Sequence, residues 1–207
     1  MTGAARDADE LAEIWDARHG ANERLWSGRV NPVLEAEAAR LVPGRAIDAG
    51  CGEGGDSLWL ARRGWTVLGY DLSAVAVDRA RAESERLGLA DVSSFEQRDL
   101  ASKPPEAVHD LVSGQYLHVI PAQRDSLYRG LAAAVRPGGV LLLVLHDARD
   151  LDLGIPRPPA ETMLDADALS AYADEFASVH LELRPRATLD RAGRTATAHD
   201  LVLRAVR

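Results

Sequence analysis

The chain has 207 residues, 46% of them hydrophobic, and a formal charge of −8 at neutral pH. That length and apolar content suit one α/β domain with a full core, while the acidic balance, the lack of any Lys/Arg block and a single lysine, Lys103, argue against a phosphate-backbone footprint and hence against nucleic acid as substrate. One cysteine, Cys51, excludes an internal disulfide; the longest apolar run, around Val140–Leu145, is strand-sized; and the first residues, Met1 to Asp7, lack an apolar signal core, so the chain reads as cytoplasmic with no membrane span.

Residues 9–19 predict a helix with Leu11, Ile14 and Trp15 on one face. A polar stretch holding Trp26, Asn31 and Pro32 leads to a second helix over 33–41, stopped by Pro43-Gly44. The pattern then alternates. Strand one is 46–48, and a helix over 57–63 ends at Gly64. Strand two is 66–70, with a helix over 74–87 capped by Ser73. Strand three lies near 92–97, and strand four is 110–113, continuing toward Tyr116. A helix near 122–135 ends at Pro137-Gly138-Gly139, and strand five is 140–145. A polar, Pro-bearing loop over 147–163 is long enough to be functional. A short helix near 165–172 follows. Residues 179–186 and 200–206 alternate apolar with polar and predict an antiparallel hairpin around the polar turn at 190–193. Strand–helix alternation with short turns predicts a parallel sheet with helices on both faces. Ligands of such sheets bind beyond the carboxyl ends of the strands.

The segment Asp48-Ala49-Gly50-Cys51-Gly52-Glu53-Gly54-Gly55 sits at such an end. Glycines there permit unusual backbone angles and close ligand approach. Gly50, Gly52 and Gly55 also satisfy the dinucleotide fingerprint, with Asp71 at about the expected distance. Ligand charge separates the two readings. A dinucleotide presses its anionic pyrophosphate on this turn, where Asp48 and Glu53 would repel it. S-adenosylmethionine (SAM) brings a cationic sulfonium and an ammonium, and Lys and Arg are absent from residues 46–61. Asp71, ending strand two beside Leu72, is placed to accept both ribose hydroxyl protons. Asp99 is placed to accept from the adenine amine, with Leu100 against the ring, and Gln115 falls where the methyl group should sit. Cys51, between two glycines, reads as a small buried hydrophobe within the cofactor turn rather than a nucleophile.

His118 and His146 follow strands four and five, where a substrate would meet the methyl group. They are the candidate catalytic residues, since either is placed to take a proton near neutral pH. Tyr116 is a candidate substrate contact beside them. No metal-ligand spacing appears among the histidines and Cys51.

In combination, Asp48-x-Gly50-Cys51-Gly52-x-Gly54, Gly69-Tyr70-Asp71-Leu72-Ser73, Arg98-Asp99-Leu100 and Arg136-Pro137-Gly138-Gly139 resemble the ordered motifs of class I SAM-dependent methyltransferases. The resemblance implies a Rossmann-like, doubly wound, seven-stranded and mostly parallel sheet with an antiparallel C-terminal hairpin. Upstream, Trp15-Asp16-Ala17-Arg18 and Leu25-Trp26-Ser27-Gly28-x-x-Asn31-Pro32 are similar to the N-terminal cap of the small tellurite-resistance and thiopurine methyltransferases. That resemblance implies a cap closing over the cofactor, with Trp26 as the aromatic contact. The chain departs from that pattern at His19, where Tyr is expected, and at Arg29-Val30.

The expectation is one domain: a helical cap over 1–43, a SAM-binding core over 45–145, and a substrate loop with hairpin over 147–207. Its function would be methyl transfer from SAM to the S, O or N atom of a small molecule, by a monomer or homodimer, leaving S-adenosylhomocysteine (SAH). The alternatives are an NAD(P)-dependent oxidoreductase and a non-catalytic SAM-binding protein.

Overall fold

The computed structural model describes residues 8–106 and 108–207; the Met1-to-Asp7 stretch lies outside them. Its strands are β1 (Arg45–Ala49), β2 (Thr66–Asp71), β3 (Ser93–Gln97), β4 (His109–Gln115), β5 (Val135–His146), β6 (Ser178–Leu189) and β7 (Thr195–Val206). Its helices are α1 (Ala8–Gly20), α2 (Pro32–Ala38), α3 (Gly55–Arg62), α4 (Ala74–Arg86), α5 (Pro121–Ala133) and α6 (Ala166–Ser170). The strands form one sheet in the order β3-β2-β1-β4-β5-β7-β6. Strands β1 to β5 run parallel, and β7 lies antiparallel between β5 and β6. Chain order reverses between β1 and β4, so their carboxyl ends flank the crevice where ligands bind in such sheets.

The sheet is buried on both faces, which is why Val140–Leu145 is a continuous apolar run instead of an alternation. Leu141, Leu143 and Leu145 pack with Leu127, Tyr128 and Leu131 of α5 and Leu169 of α6. Leu142 and Val144 face the other way, onto Leu34 of α2 and Leu60 of α3, with Trp65 beside them. Asn31 caps α2 by accepting from the Val33 N–H at 2.8 Å, and Ser73 caps α4 by accepting from the Ala76 N–H at 3.1 Å.

Several boundaries differ from the sequence expectation. The fifth helix stops at Ala133, and Arg136-Pro137-Gly138-Gly139 belongs to β5. The reason is the chain's last residue: the Gly138 N–H donates to the Arg207 carbonyl at 2.7 Å, and the Arg207 N–H donates to Gly139 at 3.0 Å. The Arg207 guanidinium also donates to the carbonyls of Ala132 and Val135, closing the end of α5. The pairing of β4 with β5 jumps there, from His109 opposite Val135 to Leu111 opposite Val140. The hairpin strands run longer than expected because their register continues to Leu189 opposite Thr195. There the Asp190 carboxylate accepts from the Ala192 and Arg194 N–H groups at 2.9 Å each. The second helix ends at Ala38, three residues before its expected end at 41.

Candidate functional site

The glycine turn follows β1 directly. Gly50, Gly52 and Gly54 have φ of +73°, +51° and +85°, angles that any side chain adopts only with strain. A Cβ on Gly52 would also lie 3.3 Å from the Trp26 indole. The turn's amides are turned inward. The N–H groups of Gly50 and Cys51 both donate to the Tyr70 carbonyl, at 2.8 and 2.9 Å, and that of Gly54 to Cys51 at 2.9 Å. The Gly52 N–H donates to Asp71 Oδ2 at 2.8 Å. A diphosphate would need such N–H groups for itself.

Carboxylates surround the turn. Asp48 is buried at the end of β1 and accepts from the Ser57 hydroxyl at 2.6 Å. Burial, followed by the charges of Asp56 and Asp71, pushes its pKa up to about 7. Asp56, at the start of α3, accepts from the Asn31 N–H at 2.6 Å, and burial raises it to about 6. Asp71 is raised by burial as well, against the opposing hydrogen bonds from Ser73 and Gly52. The Gly52 N–H donates to one Asp71 oxygen and the Ser73 N–H to the other at 2.9 Å, with the Leu72 N–H adding support, and the carboxylate keeps acceptor capacity for ribose hydroxyls. Among the described residues, none of these three acids forms an ion pair with Lys or Arg. Mutually repelling buried carboxylates suit a cationic guest, so the residues present fit SAM.

Glu53 behaves differently from the sequence expectation that it adds negative charge for a ligand. Its Oε1 is consumed in fastening the cap. It accepts from Arg79 at 2.8 Å, from the buried His19 at 3.1 Å and from the Leu25 N–H at 3.2 Å. Burial pushes its pKa up, but the hydrogen bonds from Arg79 and His19 outweigh it and hold the group below the usual range. Arg79 also donates to the carbonyls of His19 and Asn22. Asp16 of α1 adds a second tie, accepting from the Ser73 hydroxyl at 2.6 Å and the Val75 N–H at 3.1 Å. His19, where the resemblance leads one to expect Tyr, is therefore part of the fastening.

Around this turn the fold gathers Trp26, Asp48, Gly50, Cys51, Gly52, Gly54, Asp71 and Leu72. Trp26 is 53% exposed and lies against Gly52. Leu72 is half-buried, and its carbonyl accepts from Gln97. Cys51 is buried with Leu58, Val77, Ala80 and Phe95, and burial drives its thiol pKa up, away from nucleophilic form. Past β3, Asp99 accepts from the Ala101 N–H at 2.9 Å. Leu100 is buried in the main core cluster with Ile47 and Tyr70.

The ends of β4 and β5 hold the other predicted group. Gln115 donates to the Ser113 hydroxyl at 2.7 Å, and its Oε1 is buried without a partner. Tyr116 has φ of +56°, the one non-glycine positive value among the described residues. This is a strained angle of the kind stored at functional sites. Its ring stacks on His146 at 4.3 Å, and His146 stacks on His118 at 5.2 Å. The Tyr116 hydroxyl donates to Asp200 at 3.0 Å, and burial with the Asp200 charge pushes its pKa up to about 12. Burial lowers both histidines, His118 to about 4. Burial raises Asp200, but His146 and the 2.9 Å bond from Arg186 outweigh it and bring it down to about 2.

Sequence reasoning passed over Asp200, Arg186, Asp150 and Arg157. Asp200 lies opposite His146 because β5 and β7 pair in that register, which the sequence pattern does not reveal. Asp150 and Arg157 come from the 147–163 loop, which has no periodicity to place them.

The methyltransferase-domain family matches residues 46–139. The tRNA 5-carboxymethoxyuridine methyltransferase of Escherichia coli (strain K12) is 36% identical over 156 residues, 70% of this chain and 58% of that protein. The chain thus spans under two thirds of that relative's length. Thiocyanate methyltransferase 1 of Brassica oleracea is 25% identical over 192 residues, 84% of this chain and 81% of that one. A solved structure concerned with conversion of a disulfide bond into a thioacetal group during echinomycin biosynthesis is 25% identical, with a TM-score of 0.73 over 95% of this chain and 91% of that one. TehB from Haemophilus influenzae, 17% identical, shares the fold with a TM-score of 0.71 over 97% of this chain and 66% of that one. With the ordered motifs on one seven-stranded sheet, the chain is similar to the class I SAM-dependent methyltransferases across its core, residues 46–139, and the carboxylates around the turn fit S-adenosylmethionine as the cofactor.

Proposed function

We propose that this protein transfers the SAM methyl group to the sulfur, oxygen or nitrogen of a small molecule. The observation that carries the reading is the glycine turn, which spends its amides on the protein and faces buried carboxylates that lack a cation. When bound, SAM would supply a methyl group activated by its sulfonium, with the S–C electron pair retained by sulfur as the neutral thioether of SAH. The chain's own residues bind, orient and exclude water. Asp71 holds the ribose, Asp48 and Asp56 offset the positive charge, and Asp99, Leu72 and Leu100 border the adenine. Gln115 and Trp26 close the two sides, and Cys51 only fills space.

At the acceptor end the histidines divide the work. The His146 backbone N–H donates to His118 Nε2 at 3.3 Å. The lone pair on that nitrogen is spent, so the ring hydrogen of neutral His118 sits on Nδ1. His118 is therefore a donor to the acceptor molecule. His146, neutral and stacked on Tyr116, takes the proton from an acceptor that arrives protonated. Thiols and phenols ionise partly near neutral pH and need this help least. The charge of −8 and the lack of a basic block support a small acceptor over a nucleic acid.

Calorimetric titration tests the reading. SAM and SAH should bind in the micromolar range typical of enzyme ligands. Asp71→Ala should weaken both about a hundredfold, the worth of two hydrogen bonds to a charged group, while Cys51→Ala should leave them nearly unchanged. Absence of binding by either ligand, or an unaffected Asp71→Ala variant, defeats the assignment. Transfer from SAM to a panel of thiols, phenols, amines and carboxylates separates an enzyme from a binding protein.

A further inference from the structure

Among the described residues, six buried side-chain atoms lack a hydrogen-bond partner, and five of them belong to Gln115, His118, Arg124, His146 and Arg157. Unpaired buried polar atoms are rare and call for a cause; four of them, on His118, Arg124, His146 and Arg157, share one neighbourhood and mark a place built for something that completes them. The neighbourhood is set by geometry. The rings of His118 and His146 stack. Arg124 donates to the carbonyls of Glu161 and Met163, on either side of Thr162, whose own carbonyl acts on His118. Arg157 donates to Asp150 at 2.5 Å, and Asp150 accepts from the backbone N–H of His199, the neighbour of Asp200.

Three of the unpaired atoms are certain donors. The guanidinium Nε atoms of Arg124 and Arg157 always carry hydrogen, and His118 Nδ1 carries the ring hydrogen because Nε2 accepts from His146. No free carboxylate answers them. Asp150 is saturated by Arg157 and by the backbone N–H and ring Nδ1 of His199, and Asp200 by Tyr116 and Arg186. Arg124 forms no ion pair among the described residues, so three guanidiniums face two carboxylates and one positive charge is left over. The Arg157 side chain is only 5% exposed, and both arginines act on His118 as cations.

We infer that the methyl acceptor carries a carboxylate, held by the N–H groups of Arg157, Arg124 and His118. This rests on the methyltransferase reading and narrows its acceptor class. The cleft is then charged oppositely at its two ends: acids at the glycine turn for the sulfonium donor, guanidiniums beyond β4 and β5 for an acidic acceptor. The carboxylate is the handle. The nucleophilic atom is a second group on the same molecule, because hydrogen bonds to an attacking oxygen would withdraw its electrons.

The test titrates the full-length, SAH-loaded protein with benzoate, salicylate and thiosalicylate, each against its neutral amide. The acids should bind about tenfold or more tightly than the amides, the worth of one charge-assisted hydrogen bond. Arg157→Gln should erase the preference. Because that change also strips Asp150 of its partner, Arg124→Gln provides an independent arm and should reduce the preference by a similar factor. Neither variant should alter SAH affinity. Equal affinity for acids and amides, no binding of any acid, or a preference untouched by Arg124→Gln overturns this inference and leaves the methyltransferase reading standing. Failure of SAH to bind overturns both.

Discussion

Ser57 donates a 2.6 Å hydrogen bond from its hydroxyl to Asp48 beneath the glycine turn, and its backbone N–H supports the same carboxylate. Support from one residue is too little to keep a buried carboxylate ionised beside Asp56 and Asp71, so burial holds the group at about 7. The unfolded chain releases that proton near 3.8. Between those values the folded state binds more protons, and stability from this group falls as pH rises. A cation reverses the preference. SAM affinity should therefore rise from pH 6 to 7.5, by at most about tenfold per pH unit for one linked proton. Calorimetry in buffers of different ionisation enthalpy should show proton release on binding. Asp48→Asn should flatten the slope; a wild-type affinity independent of pH would refute the electrostatic role.

Much of this site was legible in the sequence because the binding turn is local. Asp48, the three glycines and Asp71 lie at strand ends whose apolar runs are unmistakable, and the turn's backbone demands glycine wherever the chain folds. The acceptor end was legible only in part. His118 and His146 follow strands four and five, so their place could be read. Asp200 could not be, because its partner His146 is set by strand register, which periodicity does not reveal. Arg157 and Asp150 were hidden for a different reason: a loop's residues are positioned by tertiary bonds such as Asp150 to His199. Glu53 was visible but misread, since only the fold shows Arg79 arriving from α4 to neutralise it.

Glu53 joins the turn to both the cap and α4, which makes it the test of cap attachment. Glu53→Ala removes acceptors from Arg79, His19 and Leu25 at once. A fully buried pair broken this way would cost about 3–5 kcal/mol. Arg79 is 32% exposed and water partly replaces the lost partner, so about 2 kcal/mol is expected. The folded pKa is depressed, so this stabilisation is present above the unfolded value of about 4.5 and is lost as pH falls through the folded one. Denaturant titration at pH 7 measures the loss, and protease cleavage between residues 19 and 31 should accelerate in the variant. Unchanged stability and cleavage would show that Asp16 and the hydrophobic contacts of α2 hold the cap alone.

Asp200 is the strongest electrostatic lever on His146. Burial depresses the imidazole, and the Asp200 carboxylate, 3.8 Å from Nδ1, partly restores it. Asp200→Asn keeps the shape and the Tyr116 contact while removing the charge. It also leaves the Arg186 guanidinium uncompensated, which pushes the imidazole the same way. The His146 pKa should fall further below 6.5, and a proton NMR titration of its ring C–H resonances reads this without any acceptor. If His146 is the base, the acid limb of kcat/KM should move to lower pH in the same variant, because the neutral ring persists further into acid. Wild-type stability should show the Asp200 contribution in full above pH 4 and lose it between about 4 and 2, as the carboxylate protonates. A His146 resonance that titrates at the same pH with and without the Asp200 charge would mean that burial alone sets the ring's state, and the carboxylate would then serve only to anchor Tyr116 and Arg186.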